Sequence, residues 1–126
     1  MLFVENDDSF SWNVIDALPF EREQLEVRPG REVIADPRSL VGIDAVVVGP
    51  GPKDPQRAGL VDWVRAAAQS GRPLLGICLG HQALGLAFGA KVKRVPPVHG
   101  KQSNVEFSPS RLLPAFTGNH TVMRYH

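Results

Sequence analysis

The sequence predicts an α/β fold: an open, doubly wound, mostly parallel sheet, with a small hairpin region at its edge after residue 90. Three observations carry this. Strand-like and helix-like segments alternate through the first ninety residues. The run Asp44-Ala45-Val46-Val47-Val48 is apolar and β-branched without polar alternation, the pattern of a parallel strand covered on both faces. Finally, Gly76-Ile77-Cys78-Leu79-Gly80 sets a glycine-flanked cysteine where a buried strand turns into a helix.

The elements follow in order. Residues 1–5, MLFVE, form a short strand; Phe10, Val14, Ala17 and Leu18 then recur at helical spacing behind Asp8 and Ser9, either of which can cap a helix. Pro19 closes that helix, and Leu25-Glu26-Val27 gives a second strand before a Pro29-Gly30 turn. Residues 31–37 extend that strand or form loop, and the sequence leaves both open. Strand 44–48 runs into the loop GPGPKDP. A helix from about Ala58 to Gln69 follows, with Leu60, Val61, Val64 and Ala68 inward. Gly71, Arg72 and Pro73 break the chain before the buried strand Leu74-Leu75-Gly76-Ile77. The next helix carries Leu79, Gln82, Ala83, Leu86 and Ala87, and Gly89 stops it. Beyond Lys91 the pieces are short: Val92 to Val95, Val105 to Phe107 and Thr121 to Tyr125 read as hairpin strands at a sheet edge or rim.

A chain of 126 residues with 43% hydrophobic side chains fills one modest core but not two, so residues 1–126 are read as a single domain. Its end, residues 121–126, reads as a strand cut off in progress, hence a domain lacking its C-terminal part. With acidic residues four positions from the start, no cleavable signal peptide is expected; no window approaches a membrane span, and the single Cys excludes an internal disulfide framework or a Cys-rich zinc site. The expectation is a cytoplasmic protein. Charge is asymmetric: twelve acids face six bases through Asp62, and eight bases face Glu106 alone afterwards. That basic stretch is an anion-binding surface or a segment whose compensating acids lie elsewhere. No aromatic residues interleave with its bases, so the second reading is preferred and nucleic-acid binding is not expected.

The chemistry centres on Cys78. A nucleophile elbow needs glycine on both sides because the turn is strained and the approaching helix leaves no room for Cβ atoms. There Cys78 stands at the positive end of a helix, where free N–H groups favour a thiolate and the Leu79 amide meets a developing oxyanion. The plain alternative, a small buried hydrophobe, is outweighed by the paired glycines. The pattern by itself indicates acyl transfer, shared by hydrolases and amide-cleaving enzymes. A base is needed, and the histidines are His81, His99, His120 and His126. His81 lies on the elbow's own helix, where packing competes for it; His99 and His120 fall in turn-like segments, and His126 ends the chain. The stiff loop Val48-Gly49-Pro50-Gly51-Pro52 follows a central strand at the edge where such sheets place ligands, so Gly51 offers a second oxyanion donor facing Leu79 N–H. Asn6-Asp7-Asp8-Ser9 has adjacent carboxylates but no histidine in register, so no metal is expected and helix capping is the better use. It also lacks the glycine pattern of a dinucleotide site.

Taken together, residues 5–13, the GPGP loop, Pro73 to Gln82, Phe88-Gly89, His99-Gly100-Lys101 and Arg124-Tyr125-His126 resemble a class I glutamine amidotransferase domain. The similarity is to the small, glutaminase subunits of anthranilate synthase and aminodeoxychorismate synthase. It implies a flavodoxin-like three-layer fold and hydrolysis of L-glutamine through a glutamyl thioester on Cys78. It also implies an oxyanion hole from the Gly51 and Leu79 amides, Gly51 and Gln82 contacting glutamine, and ammonia delivered to a chorismate-binding synthase subunit or domain. No cofactor is implied. The alternatives are a catalytically dead scaffold subunit that binds a synthase partner, and a cysteine hydrolase of another α/β family.

Three departures from the family pattern stand out. Glu5 and Asp7 flank Asn6 where an aspartate and an aromatic are usual, and Lys53 replaces a glycine near the glutamine pocket, to alter binding or to point outward. The family's catalytic histidine and glutamate, and the serine and leucine that follow Arg-Tyr-His, lie beyond His126. The resemblance therefore implies that residues 1–126 alone are inactive.

Overall fold

A computed structural model describes residues 1–124. The chain divides into two compact units, Met1–Val92 and the residues from Lys93 onward.

In the first unit four parallel strands, β1 (Leu2–Glu5), β2 (Glu26–Pro29), β3 (Val46–Val48) and β4 (Leu74–Gly76), lie in the order β2-β1-β3-β4. Leu2, Phe3 and Val4 are wholly buried and β3 nearly so, because both strands are central and covered on both faces. On one face α2 (Gly30–Ala35), α3 (Leu60–Gln69) and α4 (Leu79–Ala87) close a core of Leu2, Val4, Val46 and Val48 with Val33, Leu60, Val64, Leu79 and Ala83. On the other, α1 (Ser11–Ala17) lays Ile15 against Phe3 and Val47. The expected three-layer α/β fold is the one observed.

Several details differ from the sequence reading. Residues 30–35, expected as turn followed by strand or loop, form α2, with Val33 buried against the sheet. The inward row of α1 is Ser11, Ile15 and the half-buried Leu18, while Phe10 is 59% exposed and Ala17 is exposed; the helix is turned by one position, and the Ser11 hydroxyl donates to Glu5 Oε1 at 3.0 Å. Neither Asp8 nor Ser9 is the N-cap residue. Phe10 is, and Asp8 instead accepts from Phe10 N–H at 2.9 Å in a turn leading into the helix. Ala67 rather than Ala68 completes the stripe of α3, since 60, 64 and 67 lie on one line of the surface.

β4 is half-buried rather than buried. It is an outer strand, and Leu75, level with Val47 on the α1 face, remains 36% exposed. α4 ends as expected: Gly89 adopts φ 87°, Gly89 N–H donates to Leu86 O and Ala90 N–H reaches back to Gly85 O at 2.8 Å.

In the second unit, β5 (Lys101–Phe107) and β6 (Gly118–Arg124) pair antiparallel as a two-stranded sheet of their own instead of extending the first. Residues 92–95 are not a strand: they have no regular secondary structure and are exposed, and Pro96-Pro97 behind them supplies no N–H donors. His120 lies within β6, not in a turn, packed against Phe107 and Phe116 with centroids 5.4 and 5.2 Å away. Tyr125 and His126, the expected end of the last strand and the last candidate base, lie outside the described residues.

Candidate active site

Cys78 is an exposed thiol at the junction of β4 and α4. Its backbone has φ 53° and ψ −107°, a region that non-glycine residues rarely enter and that stores about 1–3 kcal/mol. The flanking glycines explain how the chain reaches it. A Cβ on Gly76 would stand 2.5 Å from the Gly80 carbonyl oxygen, and one on Gly80 would run into the carbonyl oxygen of Val48. With hydrogen in both places, the first turn of α4 lies directly on the backbone of β3 and β4. Ile77 N–H still donates to Val48 O at 2.9 Å, so the sheet's ladder continues to the residue before the sulfur.

Two backbone donors near the elbow are left without acceptors. Among the described residues, neither Leu79 N–H, the first of α4, nor Gly51 N–H donates to a protein acceptor. The two residues touch: a Cβ on Gly51 would lie 2.6 Å from Leu79 Cδ2 and 2.7 Å from Asn6 Cβ. Gln82 stands one turn into α4, half-buried, its N–H bonded to Cys78 O at 3.0 Å. The structure thus brings Cys78, Leu79, Gln82 and Gly51 to one edge of the sheet. His81 is exposed on α4, and among the described residues no side chain hydrogen-bonds the Cys78 thiol.

β1 turns out to matter as well. The sheet order reverses between β1 and β3, the crevice where open α/β sheets bind ligands. Across it, the buried Asn6 donates from Nδ2 to Val4 O and to Gly49 O, each at 3.2 Å. Lys53, left open by the sequence, points to Asp7: Nζ lies 2.7 Å from Oδ2. That hydrogen bond, with the lysine's charge and the more distant Arg31, holds the Asp7 carboxyl below the ordinary carboxylate range. A cleft of about 290 Å³ opens beside this pair, lined among others by Asn6, Arg31, Lys53, Arg57 and Leu79. Neither Cys78 nor Gln82 lines it, so it is not the pocket of the nucleophile.

Comparison with known proteins gives the family and supports the fold. The glutamine amidotransferase class-I family matches residues 2–126. The chain belongs to that family. An anthranilate synthase component 2 of Mycobacterium tuberculosis is 42% identical across the whole chain, which spans 56% of that protein. The aminodeoxychorismate synthase component 2 of Escherichia coli is 38% identical, again across the whole chain and 68% of the relative. The crystal structure of a candidate GMP synthase component from Thermoplasma acidophilum superposes with a TM-score of 0.70 at 24% identity, over 99% of this chain and 63% of that one, which supports the fold. The chain therefore spans a little over half to about two thirds of these relatives' length.

Within this class I glutamine amidotransferase, sequence reasoning located Cys78 and the Gly51 loop but missed two ties between loops. Asn6 read as part of a capping segment; the signal for it was an amide at the end of a strand whose Leu2, Phe3 and Val4 are apolar, where a buried side chain needs partners. The Lys53–Asp7 pair joins residues 46 positions apart and has no local signature. Among the described residues, no helix is long and apolar enough to cross a membrane.

Proposed function

We propose that the protein is the glutaminase component of a chorismate-using aminating synthase. The Cys78 thiolate attacks the carboxamide carbon of L-glutamine, and the carbonyl oxygen takes up the negative charge between the N–H groups of Gly51 and Leu79. Collapse of that adduct, with a proton delivered to the nitrogen, expels ammonia and leaves a glutamyl thioester. Water then adds to the thioester carbonyl, releasing glutamate and restoring the thiol. Gln82, one turn along α4, helps hold the substrate. The ammonia passes to a chorismate-binding partner. The histidine and glutamate that move the protons are those of the family's later segment, and residues 1–126 alone show no turnover.

The observation that carries this reading is a strained, exposed Cys78 followed by Leu79, whose N–H is unbonded and whose side chain packs against Gly51, a second residue with an unbonded N–H. The family's description directs the substrate toward glutamine, and the relatives' names direct the ammonia toward an anthranilate or aminodeoxychorismate synthase. The test is ammonia release from L-glutamine by the complete protein with its synthase partner. Turnover is expected to vanish in Cys78→Ala, and a chloroketone analogue of glutamine to alkylate Cys78 one to one. Acylation of Cys78 by simple esters but not by glutamine would overturn the reading. Ammonia release by residues 1–126 above the Cys78→Ala control would overturn the claim about the isolated segment.

A further inference from the structure

We infer that Lys53, through its ion pair with Asp7, is a positioning residue that holds the Gly51 amide at the oxyanion site. This rests on the glutaminase reading above. Gly51 is the midpoint of a short suspended loop. Two residues before it, the Gly49 carbonyl accepts from Asn6 Nδ2 at 3.2 Å; two residues after it, Lys53 Nζ meets Asp7 Oδ2 at 2.7 Å. Both anchors are consecutive residues of the loop after β1, so the β3 loop is fastened at two points to one short stretch of chain.

Pro50 and Pro52 have fixed φ, which leaves Gly51 as the flexible link between the ties. Movement at the Lys53 end is therefore transmitted to the Gly51 N–H. On its inner side the loop already rests on Asn6 and Leu79 with no space for a Cβ, so only the outer side is free to lift. Asp7 itself sits at φ 61°, a left-handed conformation in which aspartate is tolerated, and this turns its carboxylate toward the lysine.

The inner tie is buried and the outer one is not: the Lys53 and Asp7 side chains are 55% and 52% exposed. The outer tie is thus weak and sensitive to salt, a few-fold effect instead of an on-off switch.

The experiment is steady-state glutaminase kinetics on the complete protein with its synthase partner. Lys53→Met is expected to lower kcat roughly two- to fivefold, the range that the coupling of an exposed ion pair converts to, with KM unchanged within about twofold. Asp7→Asn gives the same loss, the double variant loses no more than either single one, and Lys53→Arg restores most of the rate. High salt lowers kcat of the unaltered protein but not of Lys53→Met, and hydrogen exchange at the Gly51 amide quickens in Lys53→Met. Additive losses, a change confined to KM, or unaltered kcat and exchange in Lys53→Met would refute the positioning role. A protein that hydrolyses glutamine through Cys78 and ignores Lys53→Met loses this inference alone; a protein inert toward glutamine loses the glutaminase reading with it.

Discussion

Two alanine substitutions in α4 should act in opposite directions. At Gly80 a new Cβ would overlap the Val48 carbonyl oxygen and come within 2.8 Å of Val48 C and Cβ, a main-chain obstacle in a fully buried strand. Overpacking of this kind costs about 1–3 kcal/mol, and a backbone obstacle belongs at the upper end. The usual gain of alanine over glycine inside a helix, about 0.5–1 kcal/mol, offsets part of it, leaving a net loss of roughly 2 kcal/mol. At Gly85 the nearest atom to a new Cβ is Ala90 Cβ at 3.5 Å, an ordinary contact, so the helix gain stands alone. For a cooperative unit of this size, about 4–8 °C per kcal/mol puts Gly80→Ala roughly 10 °C or more below the unaltered protein and Gly85→Ala a few degrees above it. Thermal and urea denaturation read both, with an unchanged m-value showing that stability alone has moved. On the proposed mechanism, glutaminase kcat should also fall in Gly80→Ala, because retreat of α4 carries Leu79 away from Gly51. Equal stability of Gly80→Ala and the unaltered protein, or equal destabilisation by the two substitutions, would refute the claim that the elbow glycines are there for space.

The strain at Cys78 and the acid behaviour of the surface carboxylates give two more expectations. Cys78→Gly should abolish glutaminase activity yet raise stability by up to about 1 kcal/mol, since relief of a conformation worth about 1–3 kcal/mol exceeds the entropy that glycine adds to the unfolded chain; a Tm below that of Cys78→Ala would contradict it. Asp7 is held below its ordinary pKa of 3.8 by Lys53, and Asp36 by the Arg38 backbone N–H and then by Arg28. Because both folded values are depressed, their contribution is complete above the ordinary value of 3.8 and is lost as pH falls through the lower folded values. Urea midpoints should therefore be level above about pH 5 and drop below about pH 4. The drop should be shallower in Lys53→Met, and an identical acid profile in that variant would count against the Asp7 pairing.

What was readable in the sequence and what was not divides along physical lines. The central strands and Cys78 announced themselves because burial on both faces removes polar alternation from residues 46–48, and because two glycines around one nucleophile have few other uses. Residues 30–35 were missed as a helix because a single turn and a half carries too little periodicity to separate it from loop. The one-position error in α1 has a polar cause: Ser11 is buried because Glu5 accepts its hydroxyl, and a hydrophobic count favours Phe10 in its place. Val92 to Val95 failed as a strand for lack of a partner, which no local pattern records. The ties Asn6–Gly49 and Lys53–Asp7 depend on β1 and β3 being neighbours, a fact of topology and not of local sequence.

That topology also ties together the loops that carry the proposed site. The ladder does not stop where the strands end: Gly49 N–H donates to Val4 O and Ile77 N–H to Val48 O, each at 2.9 Å, so hydrogen bonding carries the loops after β3 and β4 one step further in register. Asn6 closes the gap between the loops after β1 and β3, and the Gly51–Leu79 contact closes the gap between the β3 loop and the start of α4. The three loops are therefore extensions of a buried sheet. Donors held in this way need little reorganisation when charge develops on a carbonyl oxygen, the condition under which backbone N–H groups are most effective in catalysis. The same rigidity makes the strain at Cys78 sustainable: the conformation is imposed from both sides, by a strand that continues to Ile77 and by a helix seated on Val48, and the sulfur is presented without support from its own side chain.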